Sequence, residues 1–326
     1  MPEQTRPQFF PIEPVETVSQ ARKMTARGLN YLRFRGAVRS FLVMLAFISP
    51  WLIGFLWFFV YPTISSLYYS FTEYNILQPA EWVGLKNYID LMQDPRFWNS
   101  LKNTAYYTVF SVPLNVFVAF SLASVLNREI PGRAVLRTLV YVPVVVPITA
   151  TAMIWMWIFN TNWGLLNNLL ALVGIKGPAW LGSPSWSKPS LILMQLWLIG
   201  GSILIFLAAL QDVPRVLYEA AEVDGAGSFQ KLLKITVPMV TPAILFTLLT
   251  GLIGAFQVFA SAWIMTNGGP LRSTEFYVLY LYNNGFKFFR MGYASAMAWI
   301  LFVIVLIVSV ITFRSSARWV YYGGQE

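Results

Sequence analysis

Cysteine and histidine are both absent from the 326 residues, and charged residues make up only 11% of them. Without cysteine the chain can form neither a disulfide nor a thiol nucleophile, and without histidine it lacks the usual proton-relay side chain. The sequence also contains no GxxxxGK[ST] loop, so it has no Walker site of its own for ATP. We therefore expect a chain that is not an enzyme and that has no catalytic residue, no metal site and no cofactor.

Hydrophobic residues are abundant, at 57% of the chain, and they are concentrated in six long runs. Each run approaches the roughly twenty residues that a helix needs to cross a bilayer. The predicted spans are residues 41–61, 104–126, 136–159, 190–210, 239–262 and 294–313. Only Arg137, near the start of the third run, brings a charge into them. The sequence predicts an all-α membrane protein whose six transmembrane helices occupy residues 41–314.

The placement of lysine and arginine predicts the orientation, because cytoplasmic loops are enriched in both. With six spans, fifteen of the 23 basic residues fall on the side of the N-terminal segment 1–40, and eight fall on the other side. Segment 1–40 and the tail 315–326 are therefore both predicted to be cytoplasmic. Residues 21–40 form either a basic helix on the inner membrane surface or a mobile tail. The polar lead argues against a cleavable signal peptide, and no basic soluble face indicates nucleic-acid binding.

Uncharged polar side chains interrupt the apolar runs at few places. They are Asn115, Thr149, Thr151, Gln195, Ser202, Thr247, Thr250, Gln257 and Ser261. Such side chains often hold helices together inside a membrane, but an uncharged polar lining also suits a neutral, hydroxyl-rich solute. A carrier driven by protons or sodium would be expected to hold charged residues at membrane depth. Pro143 and Pro147 predict a bend in the third span, which serves either a moving gate or packing.

Residues 211–238, between the fourth and fifth runs, form a polar cytoplasmic loop. Asp212 is suited to cap a helix that runs to about Asp224. Gly225 is expected to end this helix, since glycine enters the left-handed conformation freely. Ser228 is suited to cap a second helix, which we expect Pro238 to stop.

Three acidic residues, Glu219, Glu222 and Asp224, crowd the C-terminal half of the first loop helix. The helix dipole makes negative charge unfavourable there, and a sequence selected only for stability would place lysine in these positions. This local conflict favours a binding surface over a merely solvated acidic face.

The loop resembles a known signature. Glu219-Ala220-Ala221 is followed after three residues by Gly225, and then after nine residues by Ile235 and by Val237-Pro238. This pattern is similar to the EAA motif of binding-protein-dependent ABC importer permeases, which usually has leucine where this chain has Val237. The loop also lies between the fourth and fifth of six spans, as in that family. The similarity extends over residues 41–314, and further segments resemble the maltose and glycerol-3-phosphate permease branch.

The resemblance implies the type I ABC importer permease fold and a set of partners. These are a second homologous permease, two cytoplasmic ATPases that hydrolyse ATP, an extracytoplasmic sugar-binding protein and a sugar or polyol substrate. It implies a multi-pass protein, in contact with lipid, in the cytoplasmic membrane of a bacterium or archaeon. The implied ATPase-coupling residues are Glu219, Ala220, Ala221, Asp224 and Gly225. The implied substrate pathway, on the fourth and fifth spans, comprises Trp197, Gly200, Gly201, Ser202, Ala255, Phe256, Gln257 and Val258.

Two other functions remain open at the level of sequence. A stand-alone secondary carrier or channel for a neutral solute would fit the six spans, although it would not explain the elaborate loop. A membrane-embedded transferase would need an acid, base or metal cluster at the membrane interface, and the acidic residues of the loop have no histidine beside them.

Overall fold

The computed structural model describes residues 40–321, and the predicted N-terminal segment lies almost entirely outside them. The chain divides into two units, residues 1–65 and residues 66–326. The described part of the first unit belongs to helix α1, Ser40–Ser70, which contains a π-helical turn at Leu56–Val60. Most of its large apolar side chains are exposed, including Phe47 and Phe58.

The second unit is helical apart from one small ribbon. Its strands β1 (Thr72–Glu73) and β2 (Glu81–Trp82) pair antiparallel. The helices up to the loop are α2 (Lys86–Gln93), α3 (Pro95–Leu126), α4 (Arg133–Val145), α5 (Ile148–Ile158), α6 (Leu165–Leu172), α7 (Pro184–Trp197) and α8 (Gly200–Gln211). The remaining helices are α9 (Arg215–Val223), α10 (Ser228–Phe256), α11 (Ala260–Met265), α12 (Tyr277–Tyr282) and α13 (Met291–Ser316).

Six membrane spans are consistent with this arrangement. Among the described residues, α1, α3, α10 and α13 are each long and apolar enough to cross a bilayer. Two bent pairs, α4 with α5 and α7 with α8, bring the number to six if each pair is one span. The predicted all-α, six-span membrane architecture is confirmed.

Three predicted spans are nevertheless not continuous helices. The third bends by 102° between α4 and α5, where Pro147 lacks an amide donor and disfavours helical backbone at Val146. The fourth bends by 50° between α7 and α8, before the flexible pair Gly200-Gly201. The fifth stops being α-helical after Phe256 and resumes only at α11. The bend in the third span was predicted, whereas the other two breaks were not.

The expectation that Pro238 stops a helix is wrong, since α10 runs through it. A π-helical turn at Leu232–Thr236 precedes the proline. In this wider turn the amide of Val237 bonds the carbonyl of Leu232. The altered hydrogen-bond register accommodates a residue that has no amide donor.

The two ends of the helical bundle can be assigned from α10 and α13. Helix α10 begins in the loop and rises about 1.5 Å per residue, so Phe256 lies about 40 Å from its start. The amide of Tyr321, just after α13, donates to the hydroxyl of Thr241 at 2.9 Å. The end of α13 therefore lies beside the loop, and Met291 lies at the opposite end. We call these the loop end and the far end.

The core consists of three apolar clusters. At the loop end, the small residues Ala119 and Ala123 of α3 are fully buried and let α8 approach closely. A second cluster surrounds Phe159, Leu191 and Phe276. A third joins α2, α12 and α13 at the far end.

Candidate functional site

The loop 211–238 ends its first helix with a glycine turn, as predicted. Gly225 has a φ of 74°, in the left-handed region. Its amide donates to the carbonyl of Glu222 at 3.0 Å, and the amide of Ala226 donates to that of Ala221 at 2.8 Å. These two bonds are the Schellman pattern, which satisfies carbonyls at the end of a helix. The turn thereby fixes the direction of α9 relative to the start of α10.

The predicted caps of the loop helices are wrong. Asp212 ends α8, and Pro214 occupies the N-cap position of α9. Ser228 is the first residue of α10, whose N-cap is Gly227. The amide of Gly227 instead donates to the side-chain oxygen of Gln230 at 3.1 Å. Proline fixes the backbone at the start of α9, so this helix does not depend on a side-chain cap.

Helix α9 is attached to the bundle at few points and exposes the rest of its surface. Val213 is buried just before it, and the Tyr218 hydroxyl lies 2.9 Å from that of Thr236. Val216 is 70% exposed and Val223 is 88% exposed. The apolar side chains of α9 therefore do not all pack inward. Val216 and Val223 are exposed, as are the predicted coupling residues Glu219, Ala220, Asp224 and Gly225, while Ala221 is half-buried.

An ion pair spans the glycine turn. The Lys231 ammonium lies 2.6 Å from a Glu222 carboxylate oxygen, and the lysine side chain is only 18% exposed. Because Glu222 lies before Gly225 and Lys231 lies after it, this contact connects α9 to the first turn of α10.

A cavity of about 600 Å³ lies between the middle of the bundle and its far end. Uncharged polar side chains contribute much of its wall. They are Tyr107, Ser111, Asn115, Gln195, Ser202, Thr247, Thr250, Gln257 and Ser261. No Asp, Glu, Lys or Arg of the described chain lines it. Hydroxyls and amides both donate and accept hydrogen bonds, so the wall can solvate a polar, uncharged molecule.

The three breaks in the predicted spans all border this cavity. Val144 and Ile148 flank the first break, Leu198 and Gly201 flank the second, and Gln257 to Ala260 form the third. A membrane protein tolerates irregular backbone at depth only where it is buried in protein or lines a cavity. The breaks therefore explain how this wall is formed.

The structure brings five of the eight predicted pathway residues to the cavity: Gly201, Ser202, Ala255, Gln257 and Val258. The other three have different surroundings. Trp197 packs its ring against Trp155, with centroids 6.1 Å apart. Gly200 lies so close to the backbone of α4 that an added Cβ would be 2.6 Å from the Val140 carbonyl oxygen. Phe256 is buried in the far-end cluster.

Sequence reasoning missed the contribution of α3 to the cavity. Tyr107, Ser111 and Asn115 lie on this helix at spacings of four residues, so they share one face. Asn115, Thr247 and Thr250 were already visible as polar interruptions of apolar runs. Because we interpreted such residues mainly as contacts between helices, and the implied pathway involved only two spans, the sequence signal was present but not assigned.

A cluster of charged and tyrosine side chains joins three elements at the far end. Arg96 and Glu275 form an ion pair at 2.6 Å, and Glu275 is 5% exposed. Asp94, the N-cap of α3, accepts hydrogen bonds from the hydroxyls of Tyr280 and Tyr293. Burial acts to raise the pKa of Asp94, but the bonds from both tyrosines and from backbone amides outweigh burial and lower that pKa below its usual value.

The family follows from a comparison with known proteins. The family model described as "Binding-protein-dependent transport system inner membrane component" matches residues 111–320, well over half of the chain. The chain belongs to this family. The matched range of the permease contains the loop with its glycine turn and nearly all of the cavity wall.

Relatives of the permease support the same assignment. It is 42% identical over 309 residues to the probable ABC transporter permease protein YesP of Bacillus subtilis, across 93% of this chain and all of that one. It is 34% identical over 258 residues to the sulfoquinovosyl glycerol transport system permease protein SmoG of Agrobacterium fabrum, across 78% of this chain and 84% of that one. The stand-alone carrier and the transferase are therefore set aside.

A solved structure supports the fold of the permease. A chain of a bacterial alginate ABC transporter, in complex with an alginate pentasaccharide-bound periplasmic protein, has a TM-score of 0.77 and 25% identity. The match covers 86% of this permease and 96% of that chain. The permease therefore has the type I importer fold that its motif implied.

Proposed function

We propose that this permease is a pore-forming subunit of an ATP-driven carbohydrate importer. The observation that carries the proposal is the uncharged cavity wall, in which hydroxyls and amides line the three helix breaks. Sugars present many hydroxyl groups, and a site of this kind can bind them without a counter-ion. The name of one relative refers to a sugar derivative, and the solved transporter was found in complex with an alginate pentasaccharide-bound protein.

Within this function, the cavity is the substrate site. Gly201, Ser202, Ala255, Gln257 and Val258 would contact the sugar from the fourth and fifth spans. Tyr107 and Asn115 would contact it from α3. Trp197, Gly200 and Phe256, which lie outside the wall, would support its shape. Because the wall is uncharged, an anionic sugar would need a cation from the second permease.

Helix α9 would bind in a groove of a cytoplasmic ATPase. Glu219 would make a charge-assisted contact with a basic ATPase residue. Ala220 and Ala221 would permit close approach, and Gly225 would set the direction of the helix. Asp224 would add negative charge to the same contact. The exposure of Val216 and Val223 supports this role, because apolar groups on the water-exposed face of a loop indicate a partner.

The complete importer would contain this permease, a second permease, two ATPases that hydrolyse ATP, and an extracytoplasmic binding protein. The loop end would face the cytoplasm, as the distribution of lysine and arginine predicts. ATP-driven closure of the ATPases would then alternate the access of the cavity between the two sides of the membrane.

The proposal can be tested by purifying the tagged permease from its native membrane and reconstituting the recovered complex. We expect two ATPases and one second permease for each copy of this chain. Vesicles that enclose ATP and receive the binding protein on the side opposite the ATPases are expected to take up a labelled sugar. Uptake by this chain alone, without ATP, would overturn the proposal.

Two matched variants connect uptake to the cavity. Thr250→Val removes a wall hydroxyl, whereas Thr149→Val removes an exposed hydroxyl that is not part of the wall. We expect Thr250→Val to raise KM for the sugar and Thr149→Val to leave it unchanged. Equal effects of the two substitutions would argue against this cavity as the substrate site.

A further inference from the structure

Four aromatic rings form a connected row at the break between α10 and α11. Phe259 and Trp263 are stacked, with centroids 5.7 Å apart and planes 12° apart. Tyr282 contacts both of them, at 5.1 Å from Phe259 and 6.0 Å from Trp263. Phe286 stacks on Tyr282 at 5.2 Å. We call these four residues the aromatic row.

The row connects the cavity to the surface. Phe259 is part of the cavity wall and is half-buried. Tyr282 is also half-buried, whereas Trp263 is 42% exposed and Phe286 is 59% exposed. Because α11 follows the end of α10 and Phe286 shortly precedes Met291, the exposed rings lie toward the far end. The row therefore starts at the wall of the cavity and ends on the surface opposite the loop.

The local backbone holds the outer part of the row in place. Phe286 lies in a π-helical turn, Asn283–Lys287, directly after α12. Such wide turns are rare and occur frequently at functional sites. An added Cβ at Gly285 would lie 3.2 Å from the Cβ of Ala294, so this turn packs closely on α13. The side-chain amide of buried Asn284 donates to the Tyr280 carbonyl at 2.9 Å, so the turn is fixed directly before the Phe286 ring.

We infer that the aromatic row is a path on which saccharide rings stack as they pass from the far end into the cavity. This inference rests on the proposed function. A pyranose has apolar C–H faces and polar edges, so it can lie against an aromatic ring while its hydroxyls remain in water. Neighbouring rings of the row are 5–6 Å apart, with Tyr282 tilted by 51° from Phe259 and by 54° from Trp263. They offer a series of apolar contacts that needs no charge. The substrate class is therefore a saccharide of two or more units, which can contact neighbouring rings at once.

A second row of stacked rings serves as an internal control. Trp51, Phe55 and Phe59 of α1 stack in succession at 5.2 Å and 5.3 Å. They lie within a helix that is long and apolar enough to span a membrane, and all three rings are exposed. This α1 row is expected to contact lipid, whereas the aromatic row is expected to contact water and sugar.

Thiol labelling distinguishes the two environments. Because the chain has no cysteine, Trp263→Cys, Phe286→Cys and the control Phe59→Cys each introduce a single thiol. In the assembled complex, a positively charged methanethiosulfonate reagent is expected to modify the first two and to leave the third unmodified, since it reacts in water and does not enter lipid. Saturating sugar is expected to slow the modification of Trp263→Cys and Phe286→Cys. The path would be overturned if the thiols of Trp263→Cys and Phe286→Cys were as unreactive as that of Phe59→Cys. It would also be overturned if a transported sugar did not change their rate of modification.

Uptake measurements test the stacking itself. Tyr282→Leu and Phe286→Leu keep apolar volume but remove the ring, and Phe55→Leu is the matched control. With glucose, lactose, maltose and maltotetraose as labelled probes, we expect the two row variants to raise KM for the transported oligosaccharides by about threefold to tenfold. Vmax and the uptake of any transported glucose should change little. If the two row variants have the same KM for a transported oligosaccharide as the unsubstituted complex, the inference is overturned and the proposed function still stands.

The same uptake and labelling experiments give a different result if the proposed function itself is wrong. In that case the unsubstituted complex imports no sugar in the presence of ATP, and sugars do not change the labelling rate. That result would overturn both the importer and the saccharide path. Sugar import with unreactive row thiols would overturn only the path.

Discussion

The far end and the loop end of this permease satisfy their charged groups in different ways. At the far end, Arg96 and Glu275 form an ion pair in which Glu275 is almost fully buried, and two tyrosines donate to Asp94. At the loop end, Glu219 and Asp224 are exposed, and the Glu222 carboxylate of the Lys231 pair is 67% exposed. Apolar side chains of α9 are exposed beside them.

The difference indicates separate roles for the two ends. A buried network with specific partners holds α3, α12 and α13 in one arrangement, so the far end forms a scaffold within this chain. The loop end instead presents charges and apolar surface that its own chain does not cover. Substitutions at the far end should therefore change stability, and substitutions in the loop should change coupling to a partner.

The largest effect is expected from Glu275→Gln. The substitution removes the buried counter-ion of Arg96, whose own side chain is one-third exposed, and should destabilise the protein by about 3 kcal/mol. The midpoint of thermal unfolding of the purified permease in detergent would measure this.

The surface ion pair between Lys86 and Glu73, at 3.1 Å, provides the matched control for that experiment. Both side chains are more than half exposed, so Glu73→Gln should change stability by less than about 1 kcal/mol. Equal losses from Glu73→Gln and Glu275→Gln would contradict the scaffold role of the far end.

A smaller loss is expected from Asp94→Asn. Both tyrosines donate to Oδ2 of Asp94, and the backbone amide of Arg96 donates to Oδ1. The asparagine amide has a single oxygen, so it can replace only one of these two acceptors, at a cost of about 1–2 kcal/mol. The unfolding midpoints of the two proteins at neutral pH would measure this loss.

The pH dependence of Asp94 provides a further check on that variant. The folded pKa lies below the ordinary 3.8, so the contribution of Asp94 is complete above 3.8 and is lost as pH falls through the lower folded value. The difference between the original protein and Asp94→Asn should therefore shrink on acidification. A difference that grows with acidification would show that another group controls this end.

Substitution of Gly225 is expected to impair the coupling of the permease to its ATPase. An added Cβ would have nothing within 4 Å, so only the positive φ restricts the residue. Gly225→Val should cost about 1–2 kcal/mol in the turn and redirect α9, while the transmembrane part stays folded. Sugar uptake and ATPase recovery on purification should both fall.

Gly225→Asn is the matched control, because asparagine tolerates the left-handed conformation. We expect this variant to retain most uptake. If valine and asparagine impair uptake equally, the conformation of the turn is not what matters.

The smallest effect is expected from the ion pair of the loop. Replacing Glu222 by Gln should change unfolding stability by less than about 1 kcal/mol, because the glutamate is largely exposed. A double-mutant cycle with Lys231→Met would measure the coupling energy of the pair. A coupling energy as large as the effect of Glu275→Gln would remove the contrast between the two ends.

The spans and the glycine turn were predictable because they depend on local sequence. Twenty apolar residues specify a membrane helix, and Gly225 after an acidic helix indicates a left-handed turn. The breaks before Gly200 and after Phe256 were not predictable in the same way. In a run that is apolar on all sides, the pattern does not distinguish a continuous helix from two shorter ones that meet at a cavity.

The far-end network could not be predicted from the sequence, for a different reason. Asp94 and Tyr293 are 199 positions apart in the chain, and each is an ordinary residue in its own segment. Only the packing of α3 against α12 and α13 brings them together. The cavity wall depends on the same kind of contact, since Asn115 and Gln257 acquire a shared role only when α3 and α10 pack side by side.

The continuity of α10 through Pro238 has a mechanical consequence. One helix of 29 residues, about 43 Å long, connects the glycine turn of the loop to Phe256, next to cavity residue Gln257. Neither Pro238 nor Pro242 interrupts this helix, so a displacement at the loop is carried along it toward the cavity. A tilt of about 10° at the loop would displace the cavity wall by about 7 Å, roughly the width of one sugar ring.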